Sequence, residues 1–163
     1  MVKIYYAKCH ERAKELYHGH ADDSCWDVYA ATRYLVEEHR DLKTGKHIPC
    51  HYVYGSGLRF FIPRGYEIEI RNRSSIFTTG LMLMPGTVDC GYSGEVQMRF
   101  YEVAGNGTIY EVGERVAQLK VNPALYFDVE FELIPEDNLE MMYKLAPEYA
   151  SRGNNGFGST GRK

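Results

Sequence analysis

The sequence lacks a long apolar segment. Its longest uncharged stretch, residues 74–88, has 15 residues and is interrupted by Gly80, Pro85 and Gly86, whereas a membrane-spanning helix needs about 20 mostly apolar residues. The N-terminal residues have no apolar run of the length that a secretory signal requires. We therefore expect a soluble, cytoplasmic protein, whether bacterial, phage-encoded or of another intracellular origin, that does not bind a membrane.

An excess of positive charge is also absent. The chain has 19 Lys and Arg against 22 Asp and Glu, which gives a formal net charge of -3 at pH 7. No overall basic field favours nucleic acid as a partner, so an anionic ligand would need a local basic site. His18 and His20 fit no common zinc spacing, and we interpret them as part of a polar loop. Without any C-x-x-C pair, four cysteines are predicted to be free thiols in a reducing compartment: Cys9, Cys25, Cys50 and Cys90.

Strand patterns dominate what is present. Aromatic residues make up 13% of the chain, and they favour strands. Strict alternation of apolar and polar residues over 67–71, 95–100 and 127–133 predicts strands with one buried face. Weaker patterns predict strands at 3–5, 26–31, 51–54, 58–62, 81–84 and 115–121, and turns at 54–57, 63–65, 85–86 and 105–107. This density of short strands predicts an all-β sandwich or jelly-roll-like barrel.

Two short helices are predicted, at 11–17 and 136–145. The second begins with acidic residues, as helix N-termini do, and stops near Pro147. We expect a single β domain over residues 1–150, with a polar surface insertion at about 33–51. Residues 151–163 differ in composition, because they contain four glycines and almost no core-forming side chain, and they predict a flexible tail.

Three segments before residue 100 carry candidate chemistry. Asp27 is the acid of a strand at 26–31. Arg73-Ser74-Ser75 directly follows the strand at 67–71, and a guanidinium with hydroxyl groups can hold phosphate oxygens. A glycine-framed hairpin at 86–95 presents Asp89 as a candidate general base and Tyr92 as a plate for a sugar ring. Taken singly, each segment is more simply an ordinary strand or polar turn.

Two further segments lie in the C-terminal half. Gln118 is the neutral amide of the strand at 115–121 that could orient a phosphate or a water. Residues 152–161 combine Arg152 and Phe157 with glycine, serine and threonine, and such a backbone is suited to wrapping phosphates while the aromatic ring covers a base. Alone, this last segment would be interpreted as a disordered Gly/Ser tail.

In their order, these five segments resemble the five sequence motifs of the trimeric dUTPase family. The resemblance runs from about Asp23 to Gly161 and covers nearly the whole chain. It implies a jelly-roll-like homotrimer whose active sites are shared between subunits. It also implies hydrolysis of dUTP to dUMP and pyrophosphate with Mg²⁺, which the substrate phosphates and waters mainly hold.

The resemblance assigns roles to single residues. Asp89 would activate the water that attacks the α-phosphorus, and Tyr92 would pack on the deoxyribose where a 2′-hydroxyl would clash. The backbone of Gly86 and Val88 would read uracil, and Asp27 would contact the water shell of the magnesium ion. Phosphate contacts would come from Arg73, Ser74, Ser75, Gln118, Arg152, Gly158, Ser159 and Thr160, while Phe157 would cover uracil as the tail closes.

Two alternatives remain open. A dCTP deaminase, or a bifunctional deaminase and dUTPase, shares the fold, but it normally has a catalytic glutamate about where Arg99 stands, and the Phe157-containing tail favours a dUTPase. A zinc deaminase would need an HxE…PCxxC signature, which the sequence lacks. The other class is a non-catalytic, nucleotide-sensing regulatory protein on the same fold; the presence of Asp89, Tyr92 and Gln118 favours an active enzyme.

Overall fold

The computed structural model describes residues 2–103, 108–125, 129 and 131–147. The chain divides into two compact units, Met1–Tyr126 and Phe127–Lys163. The predicted domain boundary at residue 150 and the predicted tail lie outside the described residues. No helix in the described part of the chain is long and apolar enough to cross a membrane.

Antiparallel strands make up the first unit. Along the chain they are β1 (Tyr5–Lys8), β2 (Trp26–Tyr29), β3 (Thr32–Val36), β4 (His39–Arg40), β5 (His47–Ile48), β6 (His51–Phe61), β7 (Tyr66–Arg71), β8 (Leu81–Met84), β9 (Gly86–Val88), β10 (Glu95–Glu102) and β11 (Arg115–Pro123). A short 3-10 helix at Ser74–Thr78 joins β7 to β8. The second unit contains one described helix, α1 (Glu136–Leu145).

Two sheets enclose the core. The first has the order β1-β6-β10-β8, with β3 also paired to β6, and the second has the order β2-β11-β7-β9. Strands β4 and β5 form a separate hairpin at the end of the insertion, where residues 42–47 are all exposed. The largest fully buried side chains come from both sheets: Val28, Tyr54, Leu58, Ile68, Met98, Phe100, Val116 and Leu119.

Most of the predicted strands are confirmed. The patterns at 26–31, 67–71, 81–84, 95–100 and 115–121 correspond to β2, β7, β8, β10 and β11, and the first strand begins at Tyr5, two residues later than predicted. The helix predicted at 136–145 is confirmed by α1, whose first turn contains Glu136 and Asp137. The all-β class with a short helix therefore follows from the sequence pattern.

The turn predicted at 54–57 is wrong. Strand β6 continues through it, because the extra residues form a bulge against β10: Glu95 pairs with Arg59, but Gln97 pairs with Gly55. Gly57 adopts a φ of 66°, a left-handed conformation that glycine tolerates at little cost. Glycine therefore marks a bulge within one long strand rather than the end of a strand.

The helix predicted at 11–17 is also wrong. Residues 11 and 12 form a turn and residues 13–16 have no regular structure. The Ala13 methyl group is buried in the core, and Tyr17 forms an isolated antiparallel bridge with Asp27. Packing of this extended segment against the sheets has overridden a local preference for helix.

The strand predicted at 127–133 is not found among its described residues, 129 and 131–133. Its alternating apolar side chains are largely in solvent: Val129 is 51% exposed, Phe131 is 96% exposed and Leu133 is 99% exposed. An apolar alternation requires a partner strand to bury it, and none of the described strands pairs with this segment.

Candidate active site

A buried carboxylate organises the polar end of the second sheet. Asp27, on β2, is only 7% exposed. Its Oδ1 accepts hydrogen bonds from Arg73 Nε and Gln118 Nε2, both at 3.1 Å, and its Oδ2 accepts one from Arg115 Nη1 at 3.0 Å. Asp27 therefore fixes three donor side chains that come from distant parts of the chain.

Gln118 and Arg115 share one face because β11 contains a bulge. Gln118 pairs with Asp27 across the β2–β11 ladder, but between Arg115 and Ala117 two residues oppose a single step of β2. In a regular strand, residues three apart point to opposite faces, and the extra residue returns Arg115 to the face of Gln118. Arg115 also lies over the Tyr17 ring, 4.7 Å from its centroid.

Arg73 precedes the short 3-10 helix and is held by more than Asp27. Its Nη1 donates to the backbone oxygen of Arg115 at 3.1 Å and to Ser75 Oγ at 3.3 Å. The three contacts fix the guanidinium before any ligand arrives. A cation held in this way loses little conformational entropy on binding an anion.

A cleft of about 340 Å³ opens beside this cluster. Because Asp27 offsets one of the two guanidinium groups, the cluster of Asp27, Arg73 and Arg115 retains one net positive charge. The cleft is lined by these three residues together with Tyr17, Gly19, His20, Asp23, Cys25, Ser74 and Gln118. Its size and its donors suit phosphate oxygens.

The sequence predicted phosphate contacts for Arg73, Ser74 and Gln118 and a contact with the magnesium water shell for Asp27, and the structure brings these four to this cleft. Ser75, also predicted to contact phosphate, lines a second cleft that shares Arg73 and Arg115. Arg115 was not predicted as a site residue, because the sequence does not reveal the bulge in β11 that turns its side chain toward Asp27. The contribution of the loop with His20 and Asp23 to the cleft was not predicted either. The loop is polar, as predicted: Asp23 Oδ2 accepts the His20 N–H at 2.8 Å, and His18 stacks on Trp26 with ring centroids 4.7 Å apart. Among the described residues, no group of His, Cys, Asp or Glu could hold a metal ion alone.

The predicted nucleoside hairpin follows β9, an edge strand of the second sheet. Gly86 and Val88 lie in β9, which pairs with β7 on one side only among the described strands. The other side of an edge strand presents backbone N–H and C=O groups for pairing. Asp89 is exposed, and its carbonyl oxygen accepts the Tyr92 N–H at 3.0 Å, which closes the turn. The Tyr92 ring is 49% exposed.

One chain does not bring the hairpin to the cleft. Val88 pairs with Ile68, and Gln118 pairs with Arg71, on the same strand β7. Asp89 and Gln118 are thus four residues apart along the sheet and two strands apart across it. At about 3.3 Å per residue and 4.8 Å per strand, they are separated by roughly 16 Å. The predicted tail residues Arg152, Phe157, Gly158, Ser159 and Thr160 lie outside the described residues.

Comparison with solved structures identifies the architecture. The chain resembles the dUTPase of Staphylococcus bacteriophage 80alpha with bound dUPNHPP, with a TM-score of 0.65, 21% sequence identity, and coverage of 99% of this chain and 100% of that one. It also resembles a mutant dUTPase from phage phi11 of S. aureus, in which a structural Mg(II) ion is coordinated, with a TM-score of 0.63, 18% identity, and coverage of 83% and 98%. The architecture is that of the dUTPase fold.

Sequence comparison extends this from fold to family. Residues 16–161 match the family model for dUTPase. The deoxyuridine 5'-triphosphate nucleotidohydrolase of Leptospira interrogans is 37% identical over 109 residues, which span 65% of this chain and 68% of that protein. Its counterpart in Dinoroseobacter shibae is 35% identical over 116 residues, 69% of this chain and 67% of that protein. The chain belongs to the dUTPase family.

Proposed function

We propose that this protein hydrolyses dUTP to dUMP and pyrophosphate, with water attacking the α-phosphorus. The observation that carries the proposal is the phosphate cleft, in which Arg73 and Arg115 are fixed on one buried carboxylate within a dUTPase fold. Hydrogen-bond donors that are in place before the substrate binds are the main source of catalysis in phosphoryl chemistry.

The charge of the cleft implies a divalent cation. A nucleoside triphosphate carries about four negative charges, far more than the single net positive charge of the Asp27 cluster can offset, and Asp23 adds a further negative charge to the cleft. Mg²⁺ is usually bound by one or two carboxylates together with substrate phosphates and waters, and Asp23 and Asp27 both line the cleft. The residues present therefore fit a phosphate-held Mg²⁺. Because three N–H donors already occupy Asp27, its contact with the ion would be through water. When bound, the ion would neutralise phosphate charge.

Asp89 is the proposed general base. It is an exposed carboxylate at the tip of the hairpin, so it can reach a water without first breaking an ion pair. A base placed about 2.6–3.2 Å from the attacking water typically contributes 10²–10⁴-fold. Gln118, in the cleft, would orient the phosphate that the water attacks, together with Arg73, Ser74 and Ser75.

We infer that the site combines residues from more than one copy of the chain. With roughly 16 Å between the backbones of Asp89 and Gln118, one chain does not place its proposed base beside its own phosphate ligands. This supports the homotrimer with shared sites that the family resemblance implies. The hairpin of one subunit would then face the cleft of another, and the tail, with Arg152 and Phe157, would close over both.

Exposed apolar residues supply surfaces for such an assembly. On the outer face of the first sheet, Tyr34 and Met84 lie in one cross-strand row, with the buried Val53 and the charged Arg99 between them. Tyr34 is 47% exposed and Met84 is 38% exposed. In the second unit, the alternating Val129, Phe131 and Leu133 are exposed as well. Apolar patches of this kind commonly mark protein interfaces.

Substrate choice follows from the hairpin. The free edge of β9 at Gly86 and Val88 would pair with the flat edge of uracil, and the Tyr92 ring would lie against the deoxyribose. A site that leaves no room for a hydroxyl group can reject the ribonucleotide sterically.

The test is purified protein with magnesium and, separately, dUTP, dCTP, dTTP and UTP, with products separated by chromatography. We expect dUMP and pyrophosphate from dUTP alone. Release of ammonia from dCTP would replace this proposal with deamination, although Arg99 stands where a deaminase has its glutamate and its side chain is exposed. Binding of dUTP without any turnover would instead indicate a nucleotide sensor.

A further inference from the structure

The hairpin that carries Asp89 and Tyr92 is clamped to the bulge in β6 by one carboxylate. Glu95, the first residue of β10, accepts the Gly57 N–H on Oε1 at 2.7 Å, in a partly buried contact. Ladder pairing is interrupted at this point, because the register shifts between Glu95 and Gln97. The Glu95 side chain therefore supplies an acceptor where the regular ladder is interrupted.

Gly57 is a rigid point of attachment. Its φ of 66° favours glycine, and a Cβ there would lie 2.7 Å from the Ala13 Cβ and 2.9 Å from the His10 Cβ. Its carbonyl oxygen accepts the Cys9 N–H at 2.7 Å. Packing against Ala13 and His10 and the hydrogen bond from Cys9 thus hold Gly57, and with it the N–H that Glu95 binds.

The other end of the clamp reaches Tyr92. The Tyr92 hydroxyl donates to the Glu95 backbone oxygen at 2.9 Å. The ring passes so close to Gly94 that a Cβ there would lie 2.5 Å from the hydroxyl oxygen. Arg59, on β6, donates from Nε to the Ser93 backbone oxygen. Glu95 therefore links the hairpin to the bulge, because its backbone oxygen binds Tyr92 and its carboxylate binds Gly57.

We propose that Glu95 is a positioning residue for sugar selection: its carboxylate, bound to the Gly57 N–H, fixes the ring of Tyr92 against the deoxyribose and so sets the preference for dUTP over UTP. This inference rests on the proposed function. It assigns Glu95 no contact with substrate; its effect passes through the hairpin backbone and Tyr92.

The requirement is for an acceptor at the correct distance. Alanine removes the acceptor, and aspartate withdraws it by one methylene group, so neither reaches the Gly57 N–H. Glutamine keeps an oxygen at the same place. Loss of a hydrogen bond to a charged group corresponds to about 10–100-fold in an equilibrium, and a hairpin freed in this way would admit the 2′-hydroxyl that a fixed Tyr92 ring excludes.

The experiment compares kcat/KM for dUTP with kcat/KM for UTP in the intact protein and in Glu95→Ala, Glu95→Asp and Glu95→Gln. The ratio of the two values does not depend on the fraction of folded enzyme, so a merely structural defect would leave it unchanged. We expect the ratio to fall about tenfold or more in the Ala and Asp variants, with KM for dUTP raised, and to stay within about threefold in the Gln variant. Glu111→Ala is the matched control, since it removes an exposed carboxylate paired with Arg33 at 2.9 Å; its ratio should equal that of the unaltered protein.

Two results would be decisive against the positioning role. One is a ratio unchanged in Glu95→Asp or Glu95→Ala while the unaltered protein prefers dUTP; the other is a ratio that falls equally in Glu95→Gln. If the unaltered protein does not hydrolyse dUTP at all, the proposed function fails, and the two failures are thereby distinguished.

Discussion

Arg73 binds Asp27 through Nε at 3.1 Å, in a pair whose side chains are only 20% and 9% exposed. Its remaining contacts, to Arg115 and Ser75, leave the guanidinium in one orientation. The Arg73 guanidinium is therefore already held in the orientation in which it would bind an anion. The electrostatics of the cleft depend on Asp27, a residue that would not itself bind phosphate.

Replacing Asp27 by asparagine tests this dependence. The amide keeps the shape but leaves two guanidinium groups without a counter-charge, so we expect a loss of about 1–3 kcal/mol in the free energy of unfolding. The affinity for a triphosphate should fall as well, because Arg73 and Arg115 are no longer held together. Urea titration and calorimetric binding of dUPNHPP measure the two effects. A variant as stable as the parent and with equal affinity would contradict the role of Asp27.

Replacing Asp89 by asparagine tests the general base. The hairpin geometry depends on the Asp89 backbone oxygen, which the substitution keeps, so the protein should fold and bind dUTP normally. We expect kcat to fall about 10²–10⁴-fold. The control is Asp137→Asn in the first turn of α1, which removes an exposed carboxylate without altering the sheets. Undiminished turnover in Asp89→Asn would exclude this carboxylate as the base.

Mixing two defective variants tests the shared site. Asp89→Asn damages the hairpin and Gln118→Ala damages the cleft. If each site takes these residues from different subunits, trimers refolded from an equal mixture should regain about a quarter of the parental activity, because half of the hairpins and half of the clefts are intact. Activity in the mixture no greater than the average of the two variants would mean that each chain forms its own complete site.

Deleting residues 152–163 tests the predicted tail. The sheets and the core lie within the first unit, so the melting temperature should stay within a few degrees of the parent. Turnover of dUTP should fall severely, because Arg152, Phe157 and the glycine-rich backbone would no longer exclude water from the site. A collapse of the melting temperature would show that the segment is structural instead.

Deprotonation of the buried Tyr54 hydroxyl is expected to lower the stability of the fold at alkaline pH. Burial raises the pKa of this hydroxyl from 10.0 to about 12. Between these values the unfolded chain has released a proton that the folded chain retains, so this contribution to stability is lost as the pH rises from about 10 to about 12.

The Tyr54→Phe variant isolates that contribution, since all other tyrosines cancel in the comparison. Near neutral pH it should cost about 1 kcal/mol or less, because the Tyr110 oxygen that accepts from Tyr54 also accepts from Arg33 at 2.9 Å. The stability difference should shrink or reverse at alkaline pH, as measured by urea unfolding across the range. A difference that is independent of pH would contradict the raised pKa.

Sequence patterns were sufficient where a single local rule applied. Strict alternation predicted β7 and β10, and the acidic first turn predicted α1. They failed where an extra residue changed the register: the bulge at Gly57 resembled a turn, and the bulge in β11 concealed that Arg115 faces Asp27 with Gln118. The alternation at 127–133 predicted a strand, but none of the described strands pairs with this segment, and its described apolar side chains Val129, Phe131 and Leu133 are exposed.

The order in which the cleft is completed has a consequence for synthesis of the protein. Asp27 is separated from Arg73, Arg115 and Gln118 by 46, 88 and 91 residues. A chain emerging from the ribosome would thus carry Asp27 without its full set of partners until β11 has been made, since β11 is the strand that β2 and β7 both flank. Contacts of such long range slow folding. We expect the nascent chain to gain protection from proteases late and in one step, once β11 joins the sheet.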